Sequence, residues 1–213
     1  MARSLRRKRK RTTIAFVVSM GLATVPVSAT AGTAPPTSAV HAASSAQVRQ
    51  LVASAMTQIG QTTVYDPSYV RLAYPGGDVP IDRGVCTDVL IRAFRSIGVD
   101  LQVVVHKDML AHRGSYPGGV RIDANIDHRR VRNLAVYFRR QGAAVAITIR
   151  AGDYRPGDIV TWDLDGLDHT GLVADGTVAG TDRHLIVHNI GAGTQLEDIL
   201  FAFPITGHYR YPR

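Results

Sequence analysis

The sequence predicts an α+β fold, in which N-terminal helices pack on a C-terminal antiparallel sheet. Apolar residues recur at helical spacing between Ser44 and Gly142. After Gly142 the pattern changes to short β-branched runs separated by turn residues, which is typical of strands. Because the helical segments precede the strands instead of alternating with them, an antiparallel sheet is favoured over a parallel one.

Residues 1–31 have the three parts of a secretory signal peptide. Seven Lys/Arg residues come first, an apolar run covers residues 14–27, and Ala29-Thr30-Ala31 is a small-x-small cleavage site. The apolar run is short for a membrane span, so we expect export and cleavage, with no integral membrane segment left, rather than an uncleaved anchor. Residues 32–43 are rich in Pro, Ala and Ser and are predicted to be a linker, followed by one domain over residues 44–213.

The positive charge of the chain belongs mostly to the signal segment. The formal net charge is +8, but residues 1–31 hold seven basic and no acidic residues, which leaves +1 for the remainder. A nearly neutral domain without a basic run interleaved with aromatic residues gives no reason to expect a nucleic-acid partner. We expect the domain to be a monomer.

Four helices are predicted in the first part of the domain. They run from Ser44 or Ser45 to Gly60, from Cys86 to Gly98, from Leu101 to Ala111 and from Val131 to Gly142. The irregular segments between them, residues 61–85 and 113–129, are rich in turn residues. Each of these segments is either a surface connection or a wall of a cleft.

The second part of the domain is predicted to be a sheet of short strands. The predicted strands are residues 143–149, 159–162, 169–174 and 185–190, with 209–211 closing the sheet. The acidic, glycine-containing segment 163–168 is expected to be the turn of a hairpin.

Cys86 is the only cysteine in 213 residues. It lies where an irregular segment runs into the second predicted helix, and the free N–H groups and dipole of a helix N-terminus favour a thiolate. A single cysteine cannot form an internal disulfide, and an unpaired thiol in an exported protein is exposed to oxidation. Two interpretations stay open, a reactive nucleophile and a small buried hydrophobe.

Two histidines lie on predicted strands that follow Cys86 in the chain, and together they suggest a base. Alternate residues of a strand share a face, so His169 lies with Gly171, and His188 lies beside them if the two strands are neighbours. A thiol needs a base to become a thiolate, and the base needs a polar group that holds its tautomer. Either histidine taken alone is more often a structural residue. It is the conjunction with Cys86 that favours a catalytic site.

No metal or other cofactor is predicted. Asp127 and His128 are adjacent rather than one helical turn apart, and no third ligand is spaced to complete a site. We interpret them as part of a polar loop.

Several segments together resemble the NlpC-type cell-wall peptidases. That family has a Cys-Ser/Thr pair opening a helix, a Pro-Gly-Asp-Leu-Val strand, a His-Val-Gly-Ile strand and a polar residue on the next strand. The matching segments here are residues 86–101, Pro-Gly-Asp-Ile-Val-Thr-Trp (156–162), His-Thr-Gly-Leu-Val-Ala-Asp (169–175) and Ile-Val-His-Asn (186–189). More closely, residues 45–212 resemble an uncharacterised family of secreted bacterial proteins that we place in the same papain-like superfamily.

The resemblance implies a papain-like fold and an exported thiol hydrolase that needs no cofactor. Its substrate would be an amide bond in a cell-wall peptide, such as one of peptidoglycan, or in another extracytoplasmic molecule. The resemblance assigns Cys86 as the nucleophile, His169 as the base and His188 as the residue that orients the base. The further candidates for contact with the substrate or the oxyanion are Tyr74, Tyr65 and Asn189.

The chain departs from the NlpC pattern at two places. Val85 stands where many members carry an Asp that is associated with binding a free peptide amine, so the resemblance does not imply dipeptidyl specificity. Residues 103–150 are longer than the usual spacing between the motifs, so we expect the cleft to be lidded differently. Two alternatives stay open: an acyltransferase or ester hydrolase using the same site, and a cell-wall binding module in which Cys86 is buried and unreactive.

Overall fold

The computed structural model describes residues 44–118 and 121–212. The predicted signal peptide and linker, residues 1–43, lie outside these ranges. The helices of the described part are α1 (Ser45–Met56), α2 (Cys86–Ser96), α3 (Leu101–Ala111) and α4 (Val131–Arg140). None of them is long and apolar enough to cross a membrane.

The strands form one large antiparallel sheet and one small parallel pair. The pair consists of β1 (Val64–Tyr65) and β2 (Arg83–Gly84), which precede α2. The large sheet consists of β3 (Ile159–Leu164), β4 (Leu167–Thr177), β5 (His184–Asn189), β6 (Thr194–Glu197) and β7 (Ile205–Tyr209), in the order β6-β5-β4-β3-β7. Helices followed by an antiparallel sheet confirm the α+β prediction.

Capping hydrogen bonds and turn residues explain where α1 begins and where the β3–β4 hairpin turns. The hydroxyl of Ser44 accepts the N–H of Gln47, whose side chain accepts the N–H of Ser44 in return, so α1 begins with a capping box. The β3–β4 hairpin turns on Asp165 and Gly166, both with positive φ, as a two-residue turn of type I′ requires. The predicted hairpin turn at residues 163–168 is therefore confirmed.

The sheet is buried on both faces. One face packs on the helices and carries the larger core, including Leu90, Phe94, Phe138, Leu172 and Val187. The other face holds a smaller apolar cluster of Tyr154, Val160, Trp162, Val173, Ile186 and Leu200. Burial on both faces explains why the central strands read as continuous apolar runs.

The structure corrects the prediction at both ends of the sheet. Residues 143–149 are not a strand, since the pairing of Ala144 with Tyr209 is an isolated bridge, and Ile149 is 93% exposed. Ala143 is buried in the core, but Ile147 and Ile149 lie in solvent, so the second half of this segment has no buried face to fix a pairing register. The last strand is Ile205–Tyr209 rather than residues 209–211, and the edge strand β6 was not predicted.

Candidate active site

Cys86 is the first residue of α2, and the turn that presents it is held by a buried ion pair. The carboxylate of Asp88 accepts the N–H of Val85 at 2.7 Å, in the manner of a helix cap. Arg129 donates to both oxygens of the same carboxylate, each at 2.9 Å. Because both charged side chains are almost completely buried, this pair is a rigid support for the start of α2.

The resting state of Cys86 is a neutral thiol. Burial raises the pKa of Cys86 to about 12, and the backbone N–H groups of Thr170, Thr87 and Cys86 itself oppose this shift without cancelling it. The sequence led us to expect that the helix N-terminus would favour a thiolate. The structure shows that the loss of water around the sulfur outweighs this effect.

The contact with Thr170 places the sulfur beside the strand that carries His169. Backbone N–H groups lie in the plane of a sheet, so a thiol that meets the N–H of Thr170 lies at the edge of that plane. The space is available because β4 has no partner in β5 before Gly171. Within the described residues no hydrogen bond joins Cys86 to His169, and catalytic contacts commonly tighten only when substrate binds.

His169 and His188 form a hydrogen-bonded pair on one face of the sheet. Gly171 lies opposite His188 in the ladder and His169 is two residues away, so the two histidines are diagonal neighbours. Nε2 of His169 lies 3.0 Å from Nδ1 of His188. A Cβ at Gly171 would lie 2.6 Å from Cγ2 of Ile186 and 3.0 Å from Cβ of His188, so glycine provides the space for the pair.

Glu197 fixes the proton positions in this pair, and sequence reasoning missed it. Its carboxylate lies 2.8 Å from Nε2 of His188. An ionised carboxylate can only accept, so His188 carries its proton on Nε2 and accepts at Nδ1 from the Nε2–H of His169. The lone pair of His169 is then on Nδ1, which makes no hydrogen bond to any described residue.

Both histidines are neutral at neutral pH. Burial, together with the neighbouring His188, lowers the pKa of His169 to about 3. The pKa of His188 is also lowered by burial, although the Glu197 carboxylate acts in the opposite direction. The site therefore combines a neutral thiol with a neutral imidazole that can accept a proton.

A cleft of about 530 Å³ opens at Cys86. Its lining includes Tyr65, Pro67, Val85 and residues 129–133, with Leu167 and Asp168 at the start of β4. His169 follows Asp168 directly and precedes Thr170, so it lies between two residues that border the Cys86 environment. Parts of both irregular segments predicted from the sequence line the cleft.

The three further candidates have different positions. Tyr65 lines the cleft, and burial together with the nearby Cys86 raises the pKa of its hydroxyl, which therefore stays protonated. Tyr74 is not part of the cleft lining and packs edge-on against His106, with ring centroids 5.5 Å apart. Asn189 is buried and donates to the carbonyl of Gly84 at 3.1 Å, so it ties the end of β5 to the turn before Cys86.

The carboxylate of Asp127 makes contacts that hold the polar loop together. The carboxylate of Asp127 accepts the N–H of Asp123 and contacts Nδ1 of His106, both at 2.9 Å. Within residues 44–118 and 121–212 no group of three or more His, Cys, Asp or Glu side chains is arranged to hold a metal ion.

Comparison with known proteins gives a family and a relative. Residues 52–211 match the sequence model of a family described as a domain of unknown function, DUF1287. A protein of Escherichia coli (strain K12) described as "Uncharacterized protein YijF" is 53% identical over 161 residues, which cover 74% of this chain and 78% of the relative. No solved structure matches the chain.

Proposed function

The chain belongs to the DUF1287 family, and we propose that it is an exported thiol hydrolase that cleaves amide bonds in peptidoglycan peptides. The observation that carries this proposal is the hydrogen-bonded series Glu197–His188–His169, which leaves a free imidazole lone pair on the residue that precedes Thr170, whose backbone N–H meets the sulfur of Cys86. In this series a carboxylate orients one histidine, and that histidine orients another. The packing of a hydrophobic core does not require such a series. It is the arrangement that a general base needs.

The reaction begins with proton transfer from the thiol to Nδ1 of His169. The sulfur attacks the carbonyl carbon, and the oxyanion is stabilised by the N–H groups at the start of α2 and by the protonated hydroxyl of Tyr65. His169 then gives its proton to the amine, the C–N bond breaks and a thioester remains on Cys86. Water attacks the thioester with His169 again as the base, the C–S bond breaks, and the product acid and free thiol are formed.

The neutral resting state suits this sequence of steps. A buried thiol with a pKa near 12 resists oxidation, because the thiolate is the reactive form. Proton transfer to His169 generates the thiolate only in the attacking step, when an electrophile such as a substrate carbonyl or an alkylating reagent occupies the cleft, as a serine hydroxyl is activated in hydrolases of the triad type.

The proposal includes a papain-like fold of the NlpC type and export through the predicted signal peptide. The order of elements supports the fold, with Cys86 opening a helix and the two histidines on adjacent antiparallel strands after it. An acyltransferase or ester hydrolase would use the same thioester, with a different acyl donor or acceptor. A catalytically inactive binding module is favoured by one observation, the almost complete burial of Cys86.

Alkylation separates an active thiol from an inert one. We expect iodoacetamide to modify Cys86 in the folded protein at neutral pH, and His169→Ala to slow the reaction at least tenfold. Mass spectrometry of the intact protein measures both rates, with Cys86→Ala as the blank. Modification only after unfolding would refute the enzyme and favour the binding module.

Peptide release identifies the reaction. The wild type and Cys86→Ala are incubated with soluble cell-wall peptide fragments, and new amines and carboxylates are detected by liquid chromatography and mass spectrometry. Cleavage by the wild type alone supports the hydrolase. An added amine that captures the acyl group in place of water would instead identify a transferase.

A further inference from the structure

The chain between the Cys86 and His169 motifs contributes three arginines to the lining of the cleft, which we call the arginine wall. Arg129, Arg130 and Arg132 all line the cleft at Cys86 and all come from the start of α4 and the turn before it. The only acidic side chain in the described lining is Asp168. The wall therefore has an excess of positive charge directly beside the proposed nucleophile.

Two of the three arginines are already neutralised. Arg129 makes its two hydrogen bonds to Asp88, and Arg132 donates to Asp168 at 2.5 Å. Arg130 is exposed and forms no ion pair or side-chain hydrogen bond with any described residue. Among the described residues, Arg130 is thus the one arginine of this lining without a counter-charge.

The cleft residue next to the nucleophile offers nothing to a positively charged group. Val85, which precedes the nucleophile and lines the cleft, is apolar. The first turn of α4 has no acidic residue and no side-chain cap, so its backbone adds to the positive field around Arg130. A substrate with a free amine next to the scissile bond would find only the carboxylate of Asp168, which is already paired with Arg132, whereas an anionic one would find Arg130 without an ion-pair partner.

We propose that the cleft selects an acyl donor that carries a carboxylate close to the scissile bond, and that Arg130 binds this carboxylate. The inference rests on the proposed function, because it concerns the substrate of the same site. A guanidinium binds a carboxylate through two parallel hydrogen bonds, which fixes the orientation of the ligand as well as its charge. Arg130 is in this view a specificity residue that touches the substrate.

Two alkylating reagents that differ in charge test this without knowledge of the natural substrate. Iodoacetate carries a carboxylate and iodoacetamide an uncharged amide of similar size. The ratio of their rates with Cys86, divided by the same ratio for free glutathione, measures the preference of the cleft for an anion. The variants are Arg130→Gln and, as a control with the same charge change outside the cleft, Arg49→Gln on α1.

We expect the normalised ratio to favour iodoacetate in the wild type and in Arg49→Gln, and to fall roughly fivefold in Arg130→Gln, as for one charge pair near a surface. A ratio that is the same in Arg130→Gln and the wild type, with both reagents active, would overturn the role of Arg130 and leave the hydrolase standing. A folded protein that reacts with neither reagent would refute the hydrolase, and the substrate preference with it.

Discussion

Nε2 of His169 lies 3.0 Å from Nδ1 of His188, and this contact determines which nitrogen of His169 is free to act as a base. The other ring nitrogen of His188 lies 2.8 Å from the carboxylate of Glu197. This carboxylate therefore sets the tautomer of His188 and, through it, the tautomer of His169. The candidate site is thus a series of four residues, of which Glu197 is half-exposed and the two histidines are buried.

Glu197→Gln tests the role of this carboxylate as a positioning residue. A glutamine amide can donate or accept, so it does not fix the proton on His188, and the lone pair of His169 is no longer confined to Nδ1. We expect kcat for amide cleavage to fall roughly 10- to 100-fold with little change in KM. The ¹⁵N shifts of His169 report the mixed tautomers directly.

Asp198→Asn is the matched control for that substitution. Asp198 follows Glu197 in the chain but pairs with Arg183 in solvent, outside the histidine series. It should keep the wild-type kcat and imidazole shifts. Unchanged shifts and kcat in Glu197→Gln would show that the carboxylate does not hold the tautomer.

Gly171→Ala should damage the histidine pair by overpacking. The new methyl group would approach Ile186 to 2.6 Å, and it would lie 3.0 Å from both the Cβ of His188 and the carbonyl of Val187. We expect a loss of about 1–3 kcal/mol in the free energy of unfolding, measured with urea. The alkylation rate of Cys86 should also fall, and by a larger factor than the fraction of folded protein.

Gly176→Ala on the same strand provides the comparison. Its Cβ would meet only Cδ1 of Leu185, at an ordinary contact distance of 3.7 Å. We expect near wild-type stability and alkylation. Equal effects of the two substitutions would mean that β4 tolerates no added side chain at either glycine. The effect of Gly171→Ala would then not depend on the space beside His188.

The local patterns around Cys86, His169 and His188 were sufficient to predict their elements. Cys86 lies at a change from turn residues to a helical stripe, and each histidine sits on an apolar run bounded by turn residues. The adjacency of β4 and β5 follows because antiparallel neighbours in sequence are usually neighbours in space. These signals are local, and the structure confirms the strands and their pairing.

Glu197 and Arg130 carry no such local signal. Glu197 ends a four-residue edge strand without apolar alternation, and its role depends on the register between β5 and β6. Arg130 is one of many exposed arginines, and only the position of the first turn of α4 brings it to the cleft. The protonation state of Cys86 was missed for a related reason, since burial is set by tertiary packing and opposes the helix N-terminus.

Asp88→Asn should destabilise the protein strongly. It leaves the guanidinium of Arg129 buried without a counter-charge and weakens the cap of α2. Breaking a buried pair in this way costs about 3–5 kcal/mol in the free energy of unfolding, as measured by urea denaturation. Asp82→Asn removes an exposed carboxylate that pairs with Arg83 in solvent, and it should leave the free energy of unfolding nearly unchanged. A similar small cost for Asp88→Asn would mean that Arg129 finds other partners or water.

The buried histidines should make the fold sensitive to acid. Burial, with help from Arg95 and Arg129, lowers the pKa of His128 to about 4, and that of His169 is lowered to about 3. Unfolded histidine titrates near ~6.5, so below that pH the unfolded chain takes up protons that the folded chain refuses. Stability is therefore full above this pH and declines towards the lowered pKa values, by about 1.4 kcal/mol per pH unit for each such histidine.

Urea denaturation of the wild type and His128→Gln between pH 7 and pH 4 checks this dependence. The substitution removes one of the groups that protonate only on unfolding, so the free energy of unfolding should fall less steeply with decreasing pH than in the wild type. His112→Gln is the control for the loss of an imidazole, because that side chain is about half exposed to solvent. If His128→Gln and the wild type lose stability in parallel, protonation of His128 is not coupled to unfolding, and the acid sensitivity arises elsewhere.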